Sequence, residues 1–585
     1  MTSLIPRPSI PSSRVALTYQ VAMPEPTSHL FEVTLEVRGW QSPVLDLKMP
    51  VWTPGSYLVR EYSRLVQDFQ AIGLKSKKIS KNHWQIETDD TSEITVKYRV
   101  FANDLTVRTN HLDDTHGYFN GAALFFFIPG FERQPLTLQI VPPRPDWRVA
   151  TALPPVPGRE NTFHVADFDT LVDSPVEVGI HDVHQFEVEG KPHRFAIWGK
   201  GNNANVPKLL NDTKSIIEVE SALFGDLPYD DYLFLLHLSA GGYGGLEHKN
   251  SCTLNYARFG LRDREKYNRF LQLVAHEFFH LWNIKRIRPK ALESFDYEAE
   301  NYTNALWFAE GTTSYYDMVI PLRARIYDTK TFLDLVSKEI SRYLATPGRK
   351  VQPLSESSFD AWIKLYRRDN NSDNNQISYY LKGELVSLLL DLLIRARSEN
   401  RRSLDDVLRA MWENFGKEEI GYTDAELKTA IESVAGTDLS DFYDRYIDGL
   451  EELPFNEYLE PFGLYLKGVT NGDTVPYWGA RVQSEKGKEI VKFVEMDSPA
   501  RIAGIWADDE LLALDGLRVT AEQLPERLKD YRSGDIIQVT VFHLDELRTV
   551  PVTLAEPRPA RYEIVSIENP SNRQKQNFSE WVKSL

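Results

Sequence analysis

Two histidines one helical turn apart, with a glutamate between them, are the sharpest chemical signal in the chain: His276, Glu277, Phe278, Phe279 and His280, inside the run NRFLQLVAHEFFHLWNIKR. Successive residues of a helix turn by about 100°, so His276 and His280 project about 40° apart from one face and both imidazoles can reach a single ion. Glu277, one residue on, is near enough to take a proton from water held at that ion. A third ligand is offered by Glu310 in ALWFAEGTTSYYD, 30 residues after His280, a spacing that admits a loop and a second helix beside the first. Two imidazoles and one carboxylate leave a fourth position open for water, which suits one catalytic Zn2+ per chain. Asp317, seven residues beyond Glu310 on the same face, is placed to hydrogen-bond a ligating imidazole. Cys252 is the only cysteine, so thiolate zinc sites and intrachain disulfides are excluded and any metal must be held by histidine and carboxylate.

Helices are needed to carry these groups, and the apolar spacing predicts them over 265–285, 303–327, 330–344, 379–399, 403–415, 423–434 and 440–447. Ahead of them, from about Val15 to Val188, the chain reads as strands: FEVTLEV, ITVKYRV, LTLQIV and VEVGI alternate or run apolar between Pro, Gly and Asn-Asp punctuation. That is the signature of a β-sandwich. Between the two regions, 206–223 has helical spacing and DYLFLLHLSA reads as a buried strand. Past Pro454 strands return in VKFVEM, LLALDG, IIQVTVFHL and TVPVTL, with one helix over 521–529. The first 14 residues read as a loose arm without the apolar core of a secretory signal. The last 25 or so read as a polar tail.

With 585 residues the chain holds several cores, and 42% hydrophobic and 12% aromatic residues are a folded, globular composition. Lys and Arg number 67 against 84 Asp and Glu, a net charge of -17 that argues against nucleic acid and anionic membrane surfaces as partners. The longest apolar runs, such as LVSLLLDLLI, are about half the ~20 residues of a membrane span, and Asp391 interrupts that one. The expected location is the cytoplasm.

HEFFH, a long spacer and WFAEG resemble the gluzincin metallopeptidases. The fuller text, HEFFHLWNIKRIRP with LWFAEGTTSYYD, is similar to the glycyl aminopeptidase family, as are MPVWTPGSYLVREY and DFDTLVDSPVEVG in the β region. The resemblance spans roughly residues 15–555. It implies a multidomain α+β protein: an arm at 1–14, a β-sandwich-like domain at 15–188, a thermolysin-like zinc domain at 189–345 with a helical extension at 346–457, a PDZ-like domain at 458–555 and a tail at 556–585. It adds two segments to the site. GGLEH, with Gly244, Gly245 and Glu247, is similar to the exopeptidase motif of the related alanyl aminopeptidases, whose strand edge lines the cleft and whose Glu holds the substrate's free α-amino group. This chain has Leu246 and His248 where that motif has Met and Asn. Tyr380 in YLKG matches the Tyr that donates to the oxyanion, with Tyr379 as the neighbouring alternative.

The resulting expectation is a zinc aminopeptidase acting on peptides with a free N-terminus, with a preference for Gly or Ala implied by the family name, and with Glu277 as general base. The alternatives are an endopeptidase that docks protein C-termini on the PDZ-like domain, near Tyr477–Trp478–Gly479–Ala480, and an inactive peptide-binding scaffold. Nothing in the sequence sets the oligomeric state.

Overall fold

A computed structural model describes residues 15–470 and 475–583; the arm expected at 1–14 lies outside the described residues. The chain forms two compact units. The first comprises 1–218, 227–281 and 294–301, the second 219–226, 282–293 and 302–585.

The first unit opens with a six-stranded sheet in the order 162–165, 136–141, 16–22, 30–38, 93–101, 66–71, beside a four-stranded sheet in the order 148–150, 176–179, 116–119, 111–112. Alternation places the core. In Leu30–Arg38 the residues Phe31, Val33, Leu35 and Val37 are buried, and the antiparallel register sets them opposite Val100, Tyr98, Val96 and Ile94. Phe126 fills the centre, edge-on to Phe69, Trp84 and Tyr98.

A five-stranded mixed sheet follows in the order 182–188, 191–198, 232–239, 251–257, 244–247. Its middle strand, Tyr232–Ser239, is buried along almost its whole length, as a parallel strand covered on both faces must be. Gly244–Glu247 is an edge strand, antiparallel to Ser251–Ala257. The sequence-based boundary at 188 cuts this sheet, because Asp182–Val188 pairs with Lys191–Trp198 and is its outer strand. Tyr118, Ala150, Ala152, Ala196, Leu233 and Leu235 form a small buried cluster where the four- and five-stranded sheets meet.

The second unit is mainly helical to about residue 462. Its organising helix is Tyr379–Ser398, whose Asp391 is buried, accepts from Tyr315 Oη at 2.7 Å, and pairs with Arg395 Nε at 3.0 Å and with the Leu404 amide at 2.9 Å. The charge that breaks the apolar run thus crosslinks three helices. Strands 480–485, 488–494, 510–514, 536–543 and 546–553 form a sheet in that order, with 517–518 beside 510–514.

Two further expectations are corrected. The helix predicted over 265–285 is Arg264–Phe279: past its cap at His280 the Leu281 amide turns to the Phe278 carbonyl at 3.0 Å, and Ile284, at a φ of 108°, keeps the helix from resuming. The segment expected as a polar tail, 556–585, carries regular structure over 561–581: Arg561–Ser566 pairs antiparallel with Leu464–Val469, and the helix Asn572–Trp581 buries Trp581, whose indole N–H lies 3.1 Å from Tyr315 Oη. Its composition is polar because only one face of a ten-residue helix is covered. No helix among the described residues is long and apolar enough to cross a membrane.

Candidate active site

In the first unit the helix Arg264–Phe279 starts at Asp263, whose side chain accepts the Lys266 amide at 2.9 Å, and packs its Tyr267, Phe270, Val274 and Phe278 face against the sheet. His276 is in its last turn and His280 caps it, their rings 4.7 Å apart and nearly perpendicular. Glu277 is buried against the edge strand: a Cβ on Gly245 would come to 2.1 Å from its Cδ and Oε1. Any side chain at 245 would have to push that carboxylate aside. Two positions on, Glu247 is 4% exposed, and single ligand atoms of Glu247, Glu277 and His280 lie within 4.8 Å of one another. Two carboxylates therefore face one imidazole at the open edge of a sheet.

Glu247 is also covered from the N-terminal sandwich. Gly55, at a φ of 84° in the TPGSY turn, lies so close that its Cβ would be 2.5 Å from Glu247 Oε1. Beyond the strand, Asp173 accepts the Lys249 amide at 2.8 Å and pairs with His248 Nδ1 at 3.2 Å, so the DFDTLVDSP segment fixes the strand's far end. Gly244 begins the strand at a φ of 158°, with the Arg108 guanidinium 3.8 Å from where its Cβ would be. Burial, and then the nearby charge of Glu277, push the Cys252 thiol well up, so it stays protonated and inert.

In the second unit Glu310 sits in a single π-helical turn, Trp307–Gly311, that leads into the helix Thr312–Arg323. The widened turn frees carbonyls, and Asn283 Nδ2 donates to those of Phe308 at 3.0 Å and Ala309 at 3.1 Å. The turn lies against the start of the Tyr379–Ser398 helix through two glycines: a Cβ on Gly311 would be 2.6 Å from Gly383 Cα. This contact brings Glu310 within electrostatic reach of Tyr379 and Tyr380. Tyr366 Oη is 2.9 Å from Tyr379 Oη and 3.1 Å from Tyr380 Oη, and the latter two rings stack at 4.6 Å. Tyr379 is fully buried and Tyr380 half-buried. Burial, and for Tyr380 next the charge of Glu310, push both phenols well above their ordinary range, so they remain O–H donors.

The first unit thus brings together His276, Glu277, His280, Glu247 and Gly245, and the second brings together Glu310, Tyr379 and Tyr380. Asp317 is half-buried on the Thr312–Arg323 helix, within electrostatic reach of Tyr327. Sequence reasoning missed Gly55, Asn283 and Tyr366. Pro-Gly in TPGSY is a turn signal and Asn283 directly follows HEFFHLW, whereas nothing local marks Tyr366.

Residues 18–180 match the peptidase M61 N-terminal domain and residues 269–386 match the M61 glycyl aminopeptidase. The crystal structure of an aminopeptidase N family protein from Idiomarina loihiensis is 32% identical, over 97% of this chain and 100% of that one, with a TM-score of 0.91. The chain carries both domains of the M61 peptidases. It is accordingly a metallopeptidase. An M1 zinc metallopeptidase from Deinococcus radiodurans is 14% identical over 75% of this M61 chain and 95% of its own, at a TM-score of 0.46. A mutant of it bound to a Tyr-Ser-Ala substrate gives 15% and 0.45 over the same shares. These distant likenesses leave the roles at the site to this chain's own residues. No curated protein sequence matches the M61 chain.

Proposed function

We propose that this M61 peptidase is a zinc aminopeptidase that removes N-terminal residues, Gly and Ala foremost, from peptides with a free amino terminus. The observation that carries the reading is the pair of buried carboxylates, Glu247 and Glu277, set beside His280 at the edge strand. One is a proton carrier, and the other is an anchor for an ammonium group.

The donor set suits zinc: His276 and His280 offer neutral nitrogens from one helix face, Glu310 is the third ligand, and no thiolate is near. Zinc when bound supplies a Lewis acid that acidifies water and polarises a carbonyl. Glu277 takes the proton of the attacking water and returns it to the departing amine. Tyr380 donates its phenolic proton in a hydrogen bond to the carbonyl oxygen as charge gathers there, with Tyr379 and Tyr366 fixing its ring. Glu247 holds the substrate's α-ammonium, a charge-assisted contact that a blocked N-terminus cannot make. Gly244 and Gly245 present bare backbone along which an extended peptide can lie. Asp317 is assigned to steady a ligating imidazole. A single buried cysteine suits a reducing compartment, and the enzyme is placed in the cytoplasm.

The second reading is an endopeptidase that docks protein C-termini on a PDZ-like C-terminal domain. The outer strand Ala480–Glu485 favours it, since among the described residues it pairs only with Lys488–Val494, which leaves an edge for a peptide. One assay separates the two: free and N-acetylated forms of the same peptide, each with and without a chelator. Chelator-sensitive cleavage of the free form alone is expected. Equal cleavage of both would replace the aminopeptidase with the endopeptidase.

A further inference from the structure

A second group of imidazoles lies within the first unit, remote in sequence from HEFFH. His116 is fully buried on the strand His116–Phe119, and its Nδ1 lies 2.9 Å from Glu177 Oε1. The other oxygen of Glu177 lies 3.0 Å from His237 Nε2 on the central strand of the five-stranded sheet. The indole of Trp198 stacks on the His116 ring at 3.7 Å and 14°, so that ring is fixed both in plane and in rotation. With the Nδ1 side of His116 taken up by Glu177, Nε2 is the ring nitrogen left to face a ligand. That Nε2 is buried and has no hydrogen-bond partner among the described residues.

Two further ligand types stand beside it. The His111 ring is 5.0 Å from that of His116, and its Nε2 is 3.1 Å from Asp113 Oδ2. Asp113 Oδ1 is taken by the amides of Thr115 at 2.7 Å and His116 at 3.1 Å and by the Thr115 hydroxyl at 2.6 Å, which turns Oδ2 toward His111. One ligand atom each of His111, Asp113 and His116 lies within 4.8 Å of the others. Zinc bonds of ~2.0–2.1 Å set tetrahedral ligand atoms about 3.4 Å apart, a closure that small rotations of these side chains supply. Side-chain exposure of 30% at Asp113 and 12% at His111 gives an entry path and room for a water.

We propose that His111, Asp113 and His116 form a second divalent-metal site of the zinc class, with Glu177 orienting His116 from behind. A carboxylate on one ring nitrogen with the other nitrogen offered outward is the arrangement that metal-binding histidines adopt. The ion pins the hairpin 111–119 and, through Glu177 and His237, ties it to the five-stranded sheet. It stands outside the peptidase chemistry.

The test is a metal count on the full-length enzyme, saturated with zinc and passed through a desalting column. Two zinc ions per chain are expected for the wild type, one for His276→Ala/His280→Ala, one for Asp113→Asn, and none for the combination. Asparagine at 113 keeps the Oδ1 acceptor for the Thr115 and His116 amides, so the hairpin retains its turn. Loading the His276→Ala/His280→Ala variant with Co2+ gives a readout on a native hairpin: visible absorption of a four-coordinate ion supports the site. One zinc in the wild type, none in that histidine variant and no cobalt spectrum would overturn it, leaving a hydrogen-bond network. One zinc that persists in the histidine variant and is lost with Asp113→Asn would support this site while refuting the catalytic ligand assignment.

Discussion

Gly245→Ala tests whether Glu277 works from the place where the edge strand holds it. The new Cβ would lie 2.1 Å from Glu277 Cδ and Oε1, and ordinary contact begins near 3.4 Å, so the carboxylate must retreat by about 1.3 Å. The end of a glutamate moves cheaply, so the melting temperature should change by only a few degrees. The retreat itself is costly for chemistry: a displacement of ~1 Å at a reacting group lowers rate by about 10²-fold, or about 3 kcal/mol of transition-state stabilisation. The assay is kcat/KM on an alanyl chromogenic amide, with zinc measured on the same sample. The expected result is a loss of about two decades carried by kcat, with zinc retained. Wild-type kcat/KM would refute the reasoning, because the general base would then be indifferent to its position. Loss of zinc with activity would refute it differently, by showing that the strand supports the ligands instead.

Glu277→Gln should keep zinc and lose about 10²–10⁴-fold in kcat, read from metal content and single-turnover rates. Gly55→Ala, strained at a φ of 84° and pressing on Glu247, should erode the preference for free over acetylated peptides by about 10-fold or more, measured as a ratio of kcat/KM values. Asp391→Asn breaks the buried pair with Arg395 and should cost about 3–5 kcal/mol in denaturant unfolding. Lys382 is buried with no partner for Nζ among the described residues, and burial lowers it from 10.5 to about 8. Between pH 8 and 10.5 the unfolded chain then holds a proton the folded one has shed, so wild-type stability rises with pH across that window. Lys382→Met should remove the rise and stabilise the protein at pH 7 by about 3 kcal/mol, as seen in unfolding curves at several pH values.

HEFFH was legible because its pattern is local: two imidazoles and a carboxylate fall within one turn of a single helix, and the capping Asp263 marks where that helix starts. The strands Leu30–Arg38, Glu93–Phe101 and Leu136–Val141 were legible from period two. The π turn at Glu310 was not, since one extra residue in a helix leaves the apolar pattern of WFAEG unchanged. Nor was the end of the HEFFH helix, because the apolar pattern runs on through Leu281 and Trp282 while the backbone turns at His280. The group at His111, His116, Glu177 and His237 was invisible because strand register alone gathers it: Gly117 pairs with Val178 and His116 with Gly179, setting Glu177 beside the imidazoles. The helix Asn572–Trp581 did carry a clue in its Ser571/Gln574 capping box, which a polar composition obscured.

The return of residues 561–581 to the Glu310-bearing unit bears on the order of synthesis. Trp581 closes against Tyr315, and Tyr315 in turn holds Asp391 of the organising helix. The sheets and HEFFH helix of the first unit can close as soon as residue 301 has left the ribosome. The second unit must wait for a segment made 183 residues after Ser398, roughly 10–40 s later at bacterial and eukaryotic elongation speeds. The HEFFH helix of the nascent chain is therefore in place well before the unit that bears Glu310 has closed.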